Sequence, residues 1–119
     1  MAEPDQPLTP AVFALLLALH QGERHGYALM ADVDELTGGT VTLGPATLYR
    51  SLQRMRVEGL VEEIATQDES VRADRRAERR RSYRIRPKGR ARARVEARRL
   101  ARLVDAATVL GVLDRREAP

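Results

Sequence analysis

The sequence predicts a mainly α (α+β) domain in which three short helices precede a β-hairpin and one long helix. Three observations indicate this order. Apolar residues recur at helical spacing in three segments before Gly59, they alternate with polar residues in two short segments after it, and helical spacing returns after Pro87. A length of 119 residues suits one domain with a modest core.

The first predicted helix lies in the segment "LTPAVFALLLALHQG". Thr9 is expected to cap its N-terminus, and Pro10 suits the first helical position because no N–H is needed there. Gly22 is expected to end the helix. The polar, proline-containing residues 1–7 are predicted to form a disordered tail.

The second predicted helix, in "HGYALMADVDELTGG", places Leu29, Val33 and Leu36 on one face and stops at the glycine pair 38–39. The following "TVTL", residues 40–43, is short and rich in β-branched residues. This composition predicts a short strand.

The third predicted helix, from Pro45 to just before Gly59, has two different faces. An apolar face predicts contact with the core, and it consists of Leu48, Leu52 and Met55. A polar face follows another side of the same helix, and it consists of Thr47, Arg50, Ser51 and Arg54. Helical spacing alone leaves two interpretations of the polar face open. It is an ordinary solvated surface, or it is a surface that enters the major groove of DNA.

Two segments after this helix predict the strands of a hairpin. The segment "LVEEIA" is prone to form a strand, and "RSYRIR" alternates so that Tyr83 and Ile85 share one face. The residues between them are charged and nearly free of apolar side chains, which predicts a long, mobile loop.

The segment from residue 87 to residue 119 predicts one long helix, weakened by Gly89 at its start and by Gly111 near its end. Apolar residues on it form a short heptad-like seam, which predicts a surface for a partner helix. The predicted dimerisation residues are Val95, Leu100, Leu103, Val104, Ala107 and Leu110.

The formal charge of +4 hides a strong segregation along the chain. Residues 72–102 hold fifteen Lys or Arg and three acids, whereas residues 1–71 hold four Arg and eleven acids. Within the acidic half, residues 45–57 hold three arginines and no acid. Such placement favours a polyanionic partner, because neutralised phosphates release counterions. The alternative is that arginine usage reflects base composition of the genome and serves solubility.

Three compact helices followed by a basic hairpin are typical of a winged helix-turn-helix domain. In that fold the third helix enters the major groove and the hairpin, called the wing, contacts the flanking backbone or minor groove. The expected organisation is a tail at residues 1–7, a winged helix-turn-helix domain at 8–86 and a dimerisation helix at 87–119.

Four motifs in this order resemble the PadR family of bacterial transcription regulators, specifically the short type with a single C-terminal helix. They are His25-Gly26-Tyr27, Thr47-Leu48-Tyr49, Glu58-Gly59-Leu60, and Tyr83-Arg84 with Gly89. The similarity runs from about residue 8 to about residue 113. The sequence departs from the family at Arg86, where Thr is frequent, and in its long, arginine-rich wing loop, so we expect a weak cap on the last helix.

The resemblance implies a homodimeric repressor that binds a palindromic operator in double-stranded DNA, with possible release by a small hydrophobic or aromatic effector. Genes for detoxification, efflux or the regulator itself are the expected targets. It implies DNA contacts by Thr47, Tyr49, Arg50, Ser51, Arg54, Arg79, Arg80 and Arg81. It implies an effector pocket between the first and last helices, with Phe13, Leu16 and Val104 as candidates.

Other functional classes have weaker support in the sequence. There is no cysteine, and no pattern predicts a catalytic constellation, a metal site or a cofactor site. The segment "GTVTLGPA" lacks the Lys and Ser or Thr of a phosphate-binding loop, and His20 and His25 suit capping or surface positions. No segment predicts a membrane span or signal peptide, so we expect a cytoplasmic protein. The main alternative is a protein-interaction or RNA-binding adaptor that uses the heptad seam and the basic wing.

Overall fold

The computed structural model describes residues 6–64 and 81–117, which form four α-helices and three short strands. The helices are α1 (Pro10–Leu19), α2 (Gly26–Leu36), α3 (Pro45–Val57) and α4 (Pro87–Val109). The strands are β1 (Arg24–His25), β2 (Val61–Ile64) and β3 (Ser82–Ile85), and a short 3-10 helix (Arg115–Glu117) follows α4. The predicted order of three helices, two strands and a long helix is confirmed, and β1 is an additional strand.

Helix α1 lies at the centre of the domain. It contacts α2, α4 and β3, and Leu15, Leu16 and Leu19 on it are fully buried. Each such leucine contributes about 1.5–3 kcal/mol by leaving water. The predicted cap is confirmed, because the Thr9 Oγ1 accepts a hydrogen bond from the Val12 N–H at 3.2 Å. The helix is therefore fixed both at its start and around most of its surface.

The three strands form one antiparallel sheet in the order β1-β3-β2. Val61 of β2 lies opposite Ile85 of β3, and Glu63 lies opposite Tyr83. Tyr83 and Ile85 are both buried, so the predicted alternation of this strand is confirmed. The sheet therefore presents one apolar face to the helices.

The segment of residues 40–43 forms an irregular loop, and the prediction of a strand there is wrong. Thr37 fixes this loop locally, since its hydroxyl group accepts a hydrogen bond from the Val41 N–H at 3.1 Å and donates one to the Val33 carbonyl at 2.8 Å. Leu43 then enters the core. Side-chain bonds to the end of α2 replace the strand pairing that the composition suggested.

Helix α4 ends at Val109, whereas the predicted helix extends ten residues further, to residue 119. Gly111 adopts a left-handed φ of 79°, and the Val112 N–H bonds to the Ala107 carbonyl at 2.8 Å, as in a glycine-terminated helix end. At the other end, Arg86 precedes the helix without a side-chain capping bond, as the sequence predicted.

The segment before α1 is attached to α4. The Arg92 guanidinium donates to the Gln6 carbonyl at 3.2 Å, and the Leu8 N–H donates to Glu96 at 3.1 Å. The end of the predicted tail is therefore held in place, while residues 1–5 lie outside the described residues.

Candidate nucleic-acid interface

The polar face of α3 is directed away from the core. Leu48, Leu52 and Met55 are buried on the opposite side, which confirms the two faces that the periodicity predicted. On the polar face Thr47, Arg50 and Arg54 are exposed and Ser51 is half-buried. These four side chains can all form hydrogen bonds, and they lie together on one outward surface that is about two turns of helix long.

The two arginines of this face are only weakly neutralised by neighbouring carboxylates. Among the described residues Arg50 forms no ion pair, and Arg54 is 83% exposed with Glu58 at 3.8 Å, close to the limit for an ion pair. Such an exposed pair contributes little to stability. Both guanidinium groups are therefore available to bond guanine edges or phosphates.

Tyr49 is placed differently from the sequence-based prediction of a phosphate contact. Its hydroxyl oxygen is buried, and its ring packs over the first residue of α2. A Cβ atom at Gly26 would lie 2.8 Å from the Tyr49 Oη and 2.9 Å from Cε1, so any larger residue at this position would require the Tyr49 ring to shift. The hydroxyl group lies inside the domain because it fills the contact between α2 and α3, which corrects the prediction of an outward position.

Glu63 of β2 joins two arginines at the base of the wing. Its carboxylate lies 2.9 Å from the Arg56 Nη1 and 3.0 Å from the Arg81 Nε. Arg81 was predicted to contact DNA, but this ion pair holds it against the sheet. The other two predicted wing contacts, Arg79 and Arg80, lie outside the described residues.

The phenol of Tyr83 lies close to this cluster. Burial, and next the negative charge of Glu63, raise its pKa to about 12. The phenol is therefore neutral at physiological pH and serves as part of the core, as its alternation with Ile85 indicated.

Two further polar contacts surround the start of α2 and were not predicted from the sequence. The rings of His25 and Tyr27 stack at 5.6 Å, and His25 Nδ1 lies 3.2 Å from the Ser82 hydroxyl. Arg24 holds Asp32 with two hydrogen bonds of 2.8 and 2.7 Å, and this interaction, above all the hydrogen bond, raises the pKa of Arg24. Ser82 is 57 residues from His25 and Asp32 is eight residues from Arg24, so local spacing carries no signal for these two contacts.

The predicted dimerisation residues of α4 are largely uncovered. Leu103 is 62% exposed and Leu110 is 78% exposed, Val95 and Leu100 are also exposed, and Val104 and Ala107 are half-buried. Leu17 of α1 and Leu36 of α2 are exposed as well. Leu17 and Leu36 line one cavity with Leu100, so the apolar surface continues from α4 across two other helices.

That cavity has a volume of about 250 Å³ and is mainly apolar. Of the three residues predicted to line an effector pocket, Phe13 borders it. Leu16 is fully buried in the core and Leu17 takes the outward position, because one residue along a helix rotates the side chain by about 100°. Val104 is not among the lining residues, and Leu100, one turn earlier on α4, takes that place.

Glu96 is the one charged residue that is buried in the described chain, and it borders this cavity. Its Oε1 accepts hydrogen bonds from the Leu8 N–H and the Arg99 guanidinium, both at 3.1 Å. An apolar cavity therefore has one carboxylate in its lining, and this carboxylate is bonded to the Leu8 N–H and to Arg99.

No helix in residues 6–64 and 81–117 is long and apolar enough to cross a membrane. In the same residues, no cluster of three or more His, Cys, Asp or Glu side chains is arranged to hold a metal ion.

Comparison with known proteins identifies similar sequences and folds. The family model described as "Transcriptional regulator PadR-like family" matches residues 15–95. An uncharacterised 37.1 kDa protein in transposon TN4556 of Streptomyces fradiae is 32% identical over 93 residues, covering 78% of this chain. The matched region is only 24% of that relative's length.

Two solved structures share the fold. A transcriptional regulator from Clostridium thermocellum has a TM-score of 0.57 at 18% identity, covering 87% of this chain and 92% of its own. A mutant of ZitR from Lactococcus lactis, solved in complex with DNA, has a TM-score of 0.63 at 14% identity, covering 99% of this chain and 70% of its own. The predicted winged-helix fold is thereby confirmed.

Proposed function

We propose, since the chain belongs to the PadR-like family of transcriptional regulators, that this DNA-binding regulator is a repressor that binds a palindromic operator as a homodimer. The observation that carries this proposal is the outward face of α3, where Arg50 and Arg54 stand exposed beside Thr47 and Ser51. In a symmetric dimer, two such helices would enter major grooves about 34–36 Å apart, one turn of DNA.

The experiment that tests the proposal compares two duplexes of equal length and composition. One carries the promoter of the protein's own gene, and the other carries the same bases in shuffled order. We expect the native duplex to bind roughly a thousandfold or more tightly at physiological salt. Equal affinity for the two duplexes would favour the adaptor function instead, because charge alone does not distinguish base sequence.

The homodimer is supported by the apolar surface formed by Leu100, Leu103 and Leu110 of α4 with Leu17 and Leu36. Contiguous exposed apolar surface of this kind is typical of protein interfaces. Burial of the same surface on a second copy, with the two α4 helices packed side by side, would remove it from water.

Replacing Leu103 with aspartate is expected to shift the protein from dimer to monomer, because a buried, unpaired carboxylate at the interface is strongly unfavourable. Sedimentation equilibrium with increasing protein concentration measures this change. Val57, which is 79% exposed on α3, provides the matched control: Val57→Asp should leave the oligomeric state unaltered. A Leu103→Asp protein that remains dimeric would exclude this part of α4 from the interface.

A small effector that weakens operator binding is supported by the cavity between α1, α2 and α4. Its apolar lining suits an apolar or aromatic molecule, and the Glu96 carboxylate in the lining favours one that carries a hydrogen-bond donor, such as a hydroxyl or a protonated amine. Titrating phenols, aromatic amines and aromatic carboxylates against operator affinity tests this proposal. We expect the carboxylates to be inactive, and no response across all three classes would leave a repressor without an effector.

A further inference from the structure

A surface groove borders the polar face of α3, and we call it the lateral groove. One of its walls is formed by Ser51, Arg54, Met55 and Glu58. These residues recur at i, i+3, i+4 and i+7, so they follow one side of α3. Ser51 and Arg54 belong both to this wall and to the polar face. The lateral groove therefore begins at the edge of the surface that is proposed to contact DNA.

The opposite wall of the lateral groove consists of residues 6–9 with Val12 of α1 and Arg92 of α4. This wall is held together by two hydrogen bonds. The Leu8 N–H donates to Glu96 at 3.1 Å, and the Arg92 guanidinium donates to the Gln6 carbonyl at 3.2 Å. The guanidinium of Arg92 is therefore fixed at the wall by a backbone oxygen and not by a carboxylate.

The charge of Arg92 is not neutralised within the described chain. Its bond to Gln6 is the one hydrogen bond that it makes with described residues, and it forms no ion pair with them. A guanidinium has five N–H donors, so most of them stay available. The side chain is half-buried, and a partly desolvated charge attracts an anion more strongly than a fully solvated one.

The lining of the lateral groove carries a net positive charge. Glu58 is the one acid among the lining residues, and its carboxylate lies 3.8 Å from the Arg54 Nε, close to the limit for an ion pair. Two arginines against one carboxylate leave a net charge of +1. The volume of about 370 Å³ leaves room for a phosphate group between the walls. The lateral groove is therefore suited to an anion.

The position of the lateral groove indicates which anion. The major groove of DNA is about 12 Å wide, and a helix with its side chains is about 10–12 Å across. A helix that occupies the major groove therefore has the sugar-phosphate backbone directly beside it. The lateral groove lies directly beside α3 and shares two residues with its polar face. Phosphates of a duplex held by α3 are thus the nearest anions.

We propose that Arg92 binds a backbone phosphate of the operator in the lateral groove, across from Arg54. This inference rests on the proposed function, because it requires α3 to hold the operator. The Gln6 carbonyl orients the Arg92 guanidinium for the contact. A phosphate contact of this kind fixes the position of a protein on DNA without reading its bases.

Three variants of the full-length protein test the role of Arg92. Arg92→Gln removes its charge, and Arg92→Lys keeps it. Arg94→Gln is the matched control, because Arg94 is exposed and lies about 200° around α4 from Arg92, on the opposite side of the helix. Arginine, glutamine and lysine have similar helix propensities, so the three variants differ mainly in charge and its position.

Arg92→Gln is expected to weaken binding of the native and the shuffled duplex by the same factor, roughly tenfold. Its logarithmic salt slope should be smaller by about 0.9, the value for one lost phosphate contact. Arg92→Lys should keep the wild-type slope. Arg94→Gln should keep both the wild-type affinity and the wild-type slope.

A single neutral methylphosphonate, placed at each backbone position of the native duplex in turn, locates the contact. In the wild-type protein the modification should weaken binding at the phosphate that Arg92 contacts. In Arg92→Gln it should cause no further loss at that position, whereas Arg94→Gln should retain the wild-type profile. The difference between profiles assigns one phosphate to one side chain.

Equal losses for Arg92→Gln and Arg94→Gln would overturn the inference, because net charge alone would explain them. An unaltered salt slope in Arg92→Gln would also overturn it, and a lowered Tm in the same variant would then assign Arg92 to fixing residues 6–9 against α4. A methylphosphonate profile that Arg92→Gln leaves unaltered would have the same meaning. Equal affinity of the wild-type protein for native and shuffled duplexes would instead refute the proposed function.

Discussion

Replacing Gly89 with alanine is expected to lower the thermal stability of the protein more than any surface substitution. An added Cβ atom would lie 2.2 Å from the Leu60 carbonyl oxygen and 2.9 Å from the Ile85 Cγ1. The backbone cannot yield as a flexible side chain can, and the same carbonyl accepts a hydrogen bond from the Arg86 N–H at 2.9 Å. The first turn of α4 would have to move away from the sheet.

Overpacking of this kind costs about 1–3 kcal/mol or more, and the gain in helix propensity offsets about 1 kcal/mol of it. We expect a net loss of about 2 kcal/mol, measured as a decrease of roughly 6–12 °C in Tm. Gly44→Ala is the comparison, because no atom lies within 4 Å of the added Cβ and the φ of −77° is ordinary. Gly44 is the N-cap of α3, so we expect only the smaller loss of about 0.5–1 kcal/mol that alanine causes at this position. An unchanged Tm for Gly89→Ala would mean that α4 tolerates a shifted start.

Replacing Arg54 with alanine is expected to weaken operator binding by roughly tenfold to a hundredfold, equivalent to about 1–3 kcal/mol. Its guanidinium is exposed and only loosely associated with Glu58, so its removal should leave stability almost unaltered. The same expectation holds for Arg50. Fluorescence anisotropy with the native and shuffled duplexes measures the change.

The salt dependence separates two roles for these arginines. Loss of a phosphate contact reduces affinity for all sequences and lowers the logarithmic salt slope by about 0.9, whereas loss of a base contact relaxes specificity at one position. Arg116→Ala removes the same charge from an exposed position after α4 and serves as the control. Unchanged operator affinity of both the Arg50 and Arg54 variants at physiological salt would refute the role of this face.

The parts of the fold that follow local rules were predictable from the sequence. The two faces of α3 follow from helical spacing, and the start of α1 follows from Thr9 and Pro10. By contrast, β1 has only two residues, too few to show alternation, and it exists because β3 pairs with it. Similarly, α1 is apolar on nearly every side, so its periodicity does not show that Leu16 lies in the core while Leu17 borders the cavity.

In the candidate interface, too, the local features were predictable from the sequence and the long-range contacts were not. Exposure of Arg50 and Arg54 follows from their spacing relative to the buried leucines. The burial of the Tyr49 hydroxyl and the pairing of Arg81 with Glu63 depend on residues more than 15 positions away. Long-range contacts of single side chains leave no periodic signal, so the expected DNA contacts of both residues rested on the family resemblance alone.

The cluster around Glu63 has a consequence for the energetics of DNA recognition. Arg56 at the end of α3 and Arg81 beside β3 share this carboxylate, and the Arg81 carbonyl accepts the N–H of Gly26 at the start of α2. The two helices of the helix-turn-helix and the base of the wing are thus fixed relative to one another before any duplex arrives. Because their mutual orientation is preorganised, the conformational entropy of aligning them is lost during folding and does not reduce the affinity for DNA.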